Sequence, residues 1–461
     1  MRTTSRRLVR VGSVLVMALC VLATPADAPA ATQDTAEWRG TPEQKLWGLM
    51  QVWAEVKYSF AFFSRVPQLD WDAAVQAAIP RVLAAPDLKA YYDALAELVA
   101  LLNDGHTTVR PPKSLLAGFE QPPIELESMG GKILITRVGD NEEIAARAIR
   151  PGLEVTAVDG VPIRRFLADH ALRYYRGGTA HWGDAFGLFG LLDGPRGTTV
   201  RLAVRDLAGM EREATLTRSA RLSDGTVFVN RIRDFSTLVE TRMLDRDIAY
   251  VRLATFEEQK AVDEFAAALE RLDLSKLRGL ILDVRYNIGG ESSVGYGVIS
   301  HLTDTPLETS RWKTRMLLAA DRAWGKPEAW FEGQPGVISP APGRVYTGPL
   351  VVLTWHDTLS SAEDFLVPLD YAHRAVLVGG TTAGSTGQPM VVRLPGGGRL
   401  LVCAKHDSYP DGREFVGSGI EPEVKVEPTQ ADVAAGRDVI LEKGLEVIRN
   451  WPAYRPVRPA R

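Results

Sequence analysis

Between residues 41 and 103, apolar side chains recur at intervals of three and four, which is typical of amphipathic helices. One face of the first helix is formed by Leu46, Leu49, Met50, Trp53 and Val56. A Thr-Pro pair beginning at Thr41 is a helix start signal, and two more helices are expected from about Asp70 and Asp87. We therefore predict a helical N-terminal segment over residues 31–115.

The pattern changes between residues 116 and 220, where short apolar and β-branched runs alternate with turns. The stretch IRPGLEVTAVDGVPI, residues 149–163, predicts a turn, a strand and an Asp-Gly hairpin turn. We predict a small β-rich domain over residues 116–220.

From residue 221 onward, continuous apolar runs of strand length alternate with helical patterns. The runs include IAYVRLATF, LRGLILDV, PLVVLTW and AVLVGG. This alternation indicates a largely parallel sheet with helices on both faces, so the predicted fold class is α/β, with a core over residues 221–461. In such sheets, ligands bind beyond the carboxyl ends of the strands.

Residues 1–30 have the three parts of a signal peptide. MRTTSRRLVR is basic, VGSVLVMALCVLA is apolar, and TPADAPAA supplies small residues for cleavage near residues 28–31. The apolar run is shorter than the about 18 residues of a membrane anchor, which favours cleavage. We expect an exported protein, periplasmic or extracellular, with no stable membrane insertion after cleavage because no later apolar run is long enough.

Composition narrows the classes of function. The formal net charge is -3 and no segment after the N-terminus is strongly basic, so nucleic-acid binding is not expected. Cys403 is the only cysteine after the signal peptide and lies in the apolar run RLLVCAKH, which predicts a core residue and not a nucleophile. No cluster of Cys and His has the spacing of a zinc site, so neither a metal nor a cofactor is predicted.

Two adjacent serines follow the apolar run that ends at Thr354. Ser360 and Glu363 fit a capping box, in which a hydroxyl accepts a hydrogen bond from an N–H group at a helix start. Alternatively, Ser360 is a nucleophile at the carboxyl end of a strand, and the N–H of Ser361 stabilises a developing oxyanion. The two interpretations are compatible, because a nucleophile can also cap the helix in the resting state.

A second strand end carries the sequence LILDVRYNIGGESS. Gly289 and Gly290 leave backbone N–H groups unshielded by side chains, so either could supply a second oxyanion donor. In this interpretation, Arg285 and Asn287 hold the loop in shape. The alternative is an ordinary strand-to-helix turn, which Asn and Gly favour in any case.

His106 follows a turn in the sequence NDGHTTV and is the candidate general base. A lone histidine is more often structural, and His356 and His406 are rival candidates. Lys405 is the reserve candidate, because it is the only lysine between Ser360 and the glycine motif near residue 418.

Together and in this order, the motifs resemble the tail-specific, or C-terminal-processing, serine peptidase family, in particular its tricorn-like branch. The matches are L-x-D-G-H-T at Leu102–Thr107, D-x-R-x-N-x-G-G at Asp283–Gly290, T-x-S-x-x-E at Thr358–Glu363, and the segments VGGTTAGSTG and GSGIEPE. The resemblance spans nearly all of the mature chain. It implies that residues 116–220 are a PDZ-like domain and that the core is a crotonase-like serine peptidase fold.

The chain departs from the family pattern around the base. Ser385 stands where many relatives have a catalytic lysine, about 25 residues after the nucleophile. Gly105 stands where the tricorn-like branch has a second serine, and Val416 stands near its glutamate. Asp104 and Glu414 are close in sequence to these two positions. The groups that orient the base are therefore missing or supplied from elsewhere in the chain.

The resemblance implies a serine-type endopeptidase that cleaves peptides or protein C-terminal tails, with Ser360 as nucleophile and His106 as base. The PDZ-like domain would bind the substrate tail by strand addition, through Gly152, Leu153 and Val155. The alternative is a catalytically impaired protein on the same scaffold, which binds peptides or small hydrophobic ligands. The missing orienting groups are the feature that favours this alternative.

Overall fold

A computed structural model describes residues 38–219 and 237–454, so the predicted signal peptide lies outside the described residues. The N-terminal part consists of α1 (Pro42–Ser59), α2 (Trp71–Ala84), α3 (Leu88–Ala100), β1 (Thr108–Arg110) and one-turn 3₁₀ helices at Phe63–Arg65 and Lys113–Leu116. The side chains of Thr41, Asp70 and Asp87 each accept a backbone hydrogen bond at a helix start. The three predicted helix starts are therefore confirmed.

The β-rich segment forms an antiparallel sheet with strand order β3-β4-β5-β8-β9, and β6 pairs with β5. Its elements are β2 (Phe119–Glu120), β3 (Ile124–Met129), β4 (Lys132–Val138), α4 (Glu142–Ala146), β5 (Glu154–Val158), β6 (Val161–Pro162), α5 (Ile163–Leu167), a π-helical turn (Ala168–Leu172), α6 (Ala180–Leu188), β7 (Gly194–Pro195), β8 (Thr199–Arg205) and β9 (Glu211–Thr217). Asp159 and Gly160 both have positive φ, as the predicted hairpin turn between β5 and β6 requires. The limits of this segment at residues 116 and 220 stay predictions.

The core is built on a six-stranded sheet with strand order β10-β11-β12-β17-β18-β22. Its elements are β10 (Val239–Asp245), β11 (Ile248–Leu253), α7 (Lys260–Arg271), β12 (Gly279–Asp283), α8 (Ser292–Ser300), β13 (Leu307–Glu308), β14 (Arg311–Met316), α9 (Ala319–Ala323), β15 (Ala329–Gly333), β16 (Val337–Ile338), β17 (Leu350–Thr354), α10 (Ser361–Tyr371), β18 (Val376–Gly379), β19 (Pro389–Arg393), β20 (Arg399–Cys403), β21 (His406–Ser408), β22 (Val424–Lys425), α11 (Gln430–Ala434), α12 (Val439–Arg449) and α13 (Trp451–Tyr454). Only the β10–β11 pair of this sheet is antiparallel. The predicted α/β class with a largely parallel sheet is confirmed.

Helices cover both faces of this sheet, because its central strands are apolar on both sides. Strands β11, β12 and β17 are buried at every position. On one face, α7, α8 and α10 contribute Phe265, Val298 and Phe365 to the largest core cluster. On the other, α12 packs Ile440 and Val447 against the sheet. Because β12 and β17 pair in parallel, their carboxyl ends lie side by side, next to the residues that carry the candidate chemistry.

The described residues from Trp38 onward belong to one compact unit. Within it, the β-rich segment packs on the sheet, since Met129 and Leu134 share a buried cluster with Trp355. No helix in the described ranges is both long and apolar enough to cross a membrane.

Arg285 ties the end of β12 to α12. It is buried and forms hydrogen-bonded ion pairs with Asp283 and with Asp438, which also caps α12 by accepting from Leu441 N–H. A buried guanidinium needs such partners, because taking it out of water is costly.

We expect Asp438→Asn to lower the free energy of unfolding by about 2 kcal/mol. Asparagine keeps the capping oxygen but leaves Arg285 with one carboxylate, and the loss is below the value typical of a fully buried pair because Asp438 is partly exposed. Urea denaturation measures the change. The matched control is Asp273→Asn, which breaks an exposed pair with Lys276 and should leave stability unchanged. Equal effects of the two substitutions would contradict this role of Arg285.

Candidate active site

Ser360 stands at the turn between β17 and α10 with φ 60° and ψ -128°. This conformation is strained for a residue with a side chain, and such strain costs about 1–3 kcal/mol. The turn is held by Ser360 N–H donating to Ser385 O at 2.9 Å and by Glu363 N–H donating to Ser360 O at 2.8 Å. The Ser360 side chain makes no capping hydrogen bond. The capping-box interpretation is therefore wrong, because the hydroxyl contacts the ring of His106 and no N–H group of the helix.

His106 lies in the turn between α3 and β1, and its ring meets the nucleophile candidate. His106 Nε2 is 3.0 Å from Ser360 Oγ. The backbone N–H of His106 donates to Asp104 Oδ2 at 3.2 Å, so Asp104 stabilises the turn and not the ring. Burial lowers the pKa of His106 below its ordinary value, while the negative charges of Asp104 and Asp364 act in the opposite direction.

The second ring nitrogen of His106 contacts a residue that sequence reasoning missed. Ser385 Oγ is 2.6 Å from His106 Nδ1. From the sequence, Ser385 is identifiable only as the residue that replaces a lysine. The signal that could have identified it is Gly105, a residue without a side chain directly beside the candidate base. Glu414, the other nearby carboxylate, instead contacts His406 Nε2 at 2.6 Å.

Glu363 supports the loop that carries Ser385. Its carboxylate accepts from Gly384 N–H and Ser385 N–H, both at 2.8 Å, and from the Thr382 hydroxyl. The side chain is buried, and burial raises the pKa of Glu363 to about 7 despite these hydrogen bonds. Glu363 thus connects the first turn of α10 to the loop after β18.

The structure distinguishes between the two candidate oxyanion donors of the glycine loop. Gly289 N–H donates to Asn287 Oδ1 at 2.9 Å, so it is not free, whereas no hydrogen bond among the described residues uses Gly290 N–H. Ser361 N–H is also unused among the described hydrogen bonds. Asn287 joins this loop to the nucleophile turn, because its backbone oxygen accepts from Leu359 N–H at 3.1 Å. The expectation for Gly289 is corrected, and Gly290 and Ser361 stay candidates.

Gly289 is nevertheless required at its position. Its φ is +98°, and a Cβ there would stand 2.7 Å from Ser360 Cβ and 2.9 Å from Ser361 N. Only glycine allows the loop to approach the nucleophile this closely.

The rival bases are engaged elsewhere. His356 Nδ1 contacts Thr381 O, and His406 pairs with Glu414. Lys405 Nζ lies 2.9 Å from Asp407 Oδ1. Burial alone would lower the pKa of Lys405, but the charges of Asp407 and Asp364 and the hydrogen bond to Asp407 together outweigh it. The pKa is raised, so the amine stays protonated at neutral pH.

The β-rich segment contacts both loops around the base. The Tyr175 hydroxyl donates to Gly105 O at 2.8 Å, beside His106. The Thr179 hydroxyl donates to Ala383 O at 2.8 Å, and His181 Nε2 lies 2.6 Å from Thr382 O. We name Tyr175, Thr179 and His181 the clamp. It fixes the turn before β1 and the loop after β18 relative to each other.

The residues predicted to bind substrate do not lie at this site. Leu153 and Val155 are buried in the core of the β-rich sheet. Gly152 packs against Ala434 of α11, and its carbonyl accepts from the side chain of Gln430 at 3.0 Å. In this conformation, a substrate could reach Gly152 only if α11 moved, and the side chains of Leu153 and Val155 are not accessible.

Comparison with known proteins agrees with the fold. Residues 247–426 match the model of Peptidase family S41. The chain is 25% identical over 425 residues to the carboxyl-terminal-processing protease of Synechocystis sp., which covers 88% of this chain and 87% of that protein. It is 21% identical to the carboxy-terminal processing protease CtpB of Bacillus subtilis, over 75% of this chain and 63% of that protein.

Among solved structures, mature CPAF complexed with lactacystin aligns with a TM-score of 0.70 at 19% identity, covering 90% of this chain and 99% of that chain. At this identity the likeness concerns the fold. Fold and matched segment together define a serine peptidase scaffold. The chain carries an S41 peptidase core and is related to the C-terminal processing proteases, which confirms the resemblance inferred from the motifs.

We expect the pH dependence of stability to reflect Glu363. Its pKa of about 7 in the folded state exceeds the ordinary value of 4.5, so the folded state binds more protons between these pH values. The free energy of unfolding should therefore fall as pH rises through this window, by about 3 kcal/mol from this group. Urea denaturation at about pH 4.5, 5.5, 6.5 and 7.5, which span this window, measures how the free energy of unfolding changes with pH.

Glu363→Gln removes the titrating group, so the variant should show a smaller slope than the parent. Glu421→Gln is the matched control, because Glu421 is exposed beside Lys425 and should leave the slope unchanged. Parallel slopes for the parent and Glu363→Gln would contradict the assignment.

Proposed function

We propose that this chain is an exported serine endopeptidase that cleaves peptides or protein C-terminal tails, with Ser360 as nucleophile and His106 as general base. The observation that carries the proposal is the 3.0 Å contact between His106 Nε2 and Ser360 Oγ at the carboxyl end of a parallel strand. Export is supported by the basic and apolar parts of residues 1–30. The substrate class is supported by the relatives, which are named as C-terminal processing proteases.

In the first half of the reaction, Ser360 Oγ attacks the scissile carbonyl while its proton passes to His106 Nε2. The carbonyl oxygen gains negative charge, which Ser361 N–H and Gly290 N–H would stabilise. The imidazolium then gives its proton to the departing amine, and the C–N bond breaks to leave an acyl-enzyme. Water, deprotonated by His106, attacks the ester carbonyl and restores the Ser360 hydroxyl.

The alternative of a binding protein without activity loses its main support. It rested on the absence of a group that orients the base. The contact between Ser385 and His106 Nδ1 supplies such a group. The strained backbone of Ser360 also favours the peptidase, because strain of this kind clusters at active sites.

Ser360→Ala should abolish both hydrolysis and labelling by a fluorophosphonate probe, because the nucleophilic oxygen is removed. Ser361→Ala should be milder, since the backbone N–H remains and the Ser361 hydroxyl has no hydrogen-bond partner among the described residues. Peptide mapping of the labelled protein identifies the modified serine. Thermal melts serve as the control, and Ser360→Ala should melt near the parent because the hydroxyl caps no helix. Labelling that persists in Ser360→Ala would contradict the nucleophile assignment.

The acid limb of kcat/KM should have its midpoint below pH 6.5. His106 must be neutral to accept the proton, and burial lowers its pKa, so activity should persist to lower pH than for an exposed histidine. Asp104→Asn removes a charge that favours the protonated ring and should move the limb further toward acid. Rates on a small ester measured from pH 4.5 to 8 (about three units around the ordinary pKa) test both shifts. A limb above 6.5, or a move toward alkaline pH in Asp104→Asn, would exclude His106 as the base described here.

A further inference from the structure

Ser385 contacts the candidate base but takes no part in the steps of the proposed reaction. Its Oγ is 2.6 Å from His106 Nδ1, and the residue is buried, 1% exposed. From this geometry, we infer that Ser385 is a positioning residue, whose hydroxyl accepts the Nδ1 proton of His106 and holds the Nε2 lone pair toward Ser360. This inference rests on the proposed function, since it assigns His106 the role of base.

The tautomer follows from the two contacts of the ring. A neutral imidazole has one N–H donor and one acceptor nitrogen. Nε2 must be the acceptor to take the proton of Ser360, so Nδ1 carries the hydrogen and donates it to Ser385 Oγ. If that partner were absent, both tautomers would be accessible, and the tautomer protonated at Nε2 could not act as base.

Two further hydrogen bonds of Ser385 and one of its neighbour fix the position of Ser385. Its N–H donates to Glu363 Oε2 at 2.8 Å, and its carbonyl accepts from Ser360 N–H at 2.9 Å. The neighbouring Gly384 N–H donates to the other Glu363 oxygen. One residue therefore contacts the backbone of the nucleophile through its carbonyl and the ring of the base through its hydroxyl.

The residue beside the base explains why the hydroxyl comes from this loop. A Cβ added to Gly105 would stand 2.3 Å from Ser385 Oγ and 2.7 Å from Ser385 Cβ. Ser385 therefore occupies the space beside Nδ1 that a side chain at residue 105 would need, and Gly177 O, 2.9 Å from the same Cβ, bounds that space. In this chain residue 105 is glycine, and Ser385 fills the space from the opposite side.

The hydroxyl is neutral, so it orients the ring but adds no charge to balance the imidazolium. That charge is balanced from further away by Asp104 and Asp364, which both act to favour the protonated ring. Orientation and charge compensation, which one carboxylate provides in a Ser-His-Asp triad, are thus divided between different residues here.

Ser385→Ala should lower kcat on a small ester about 10- to 100-fold with KM nearly unchanged, by analogy with the loss typical when the hydrogen-bond partner of a metal-ligating histidine is removed. Fluorophosphonate labelling of Ser360 should slow by the same factor. A purely structural role would instead lower the melting temperature and leave the rate of the folded protein unchanged. A kcat within about twofold of the parent in folded Ser385→Ala would overturn the inference.

Relocating the hydroxyl provides the sharper test. Ser385→Gly alone should lose activity, and Gly105→Ser alone should also lose it, because the new Cβ collides with Ser385. The double variant Gly105→Ser/Ser385→Gly should recover at least about fivefold over Ser385→Gly, since one hydroxyl again faces Nδ1. The matched control Gly105→Ala/Ser385→Gly fills the same space without a hydroxyl and should not recover. Both double variants also bring the new Cβ close to Gly177 O, so thermal melts accompany the assay. Equal activity of the two double variants, with both melting near the parent, would overturn the inference.

A measurement that does not depend on activity separates this inference from the proposed function. In protein with ¹⁵N-labelled histidine, with His106 assigned through His106→Gln, Nδ1 should be the protonated nitrogen in the parent. Ser385→Ala should shift His106 toward a mixture of tautomers. An unchanged tautomer would overturn the positioning role even if Ser360 reacts with the probe. If the tautomer of His106 shifts as expected but Ser360 of the parent does not react with the fluorophosphonate probe, the contact is upheld and the proposed function is refuted.

Discussion

The hydrogen bond from Ser360 N–H to Ser385 O is the interaction on which the site depends. Ser360 occupies a conformation that a residue with a side chain rarely adopts, and it keeps that conformation only because the surrounding loops determine it. The loop after β18 holds its N–H, the glycine loop holds Leu359 N–H, and the first turn of α10 donates to its carbonyl. The strain is thus balanced by the packing of three neighbouring strand ends, which a parallel sheet places along one edge.

Burial of polar groups gives this arrangement its electrostatic character. Glu363 and His106 are both buried, and burial moves their pKa values in opposite directions, upward for the acid and downward for the base. Both shifts favour the neutral form near pH 7. A base that stays neutral is ready to accept a proton, whereas the carboxyl serves mainly as an acceptor of backbone N–H groups.

The sequence allowed the fold class, the helix starts and the order of the motifs to be predicted, because each depends on local periodicity or on residues close together in the chain. The contact between His106 and Ser360 was inferred through the family resemblance. The contact of Ser385 with His106 was not, because it joins loops 279 residues apart and depends on the absence of a side chain at Gly105. Similarly, the S-x-x-E pattern suggested a capping box, but Glu363 reaches a distant loop and not its own helix start. A sequence pattern alone does not show with which of two possible partners a buried polar group forms a hydrogen bond.

The clamp has a consequence for how such proteins diversify. The β-rich segment has its own hydrophobic core, which by itself would allow the segment to be exchanged between relatives as a unit. However, Tyr175, Thr179 and His181 satisfy backbone carbonyls of the loops that carry the base and its partner. A chimera that replaces the segment alone would leave those carbonyls without donors in a buried setting. Exchange of this part therefore requires matching changes in the loop after β18 and in the turn before β1, because the contacts couple the three regions.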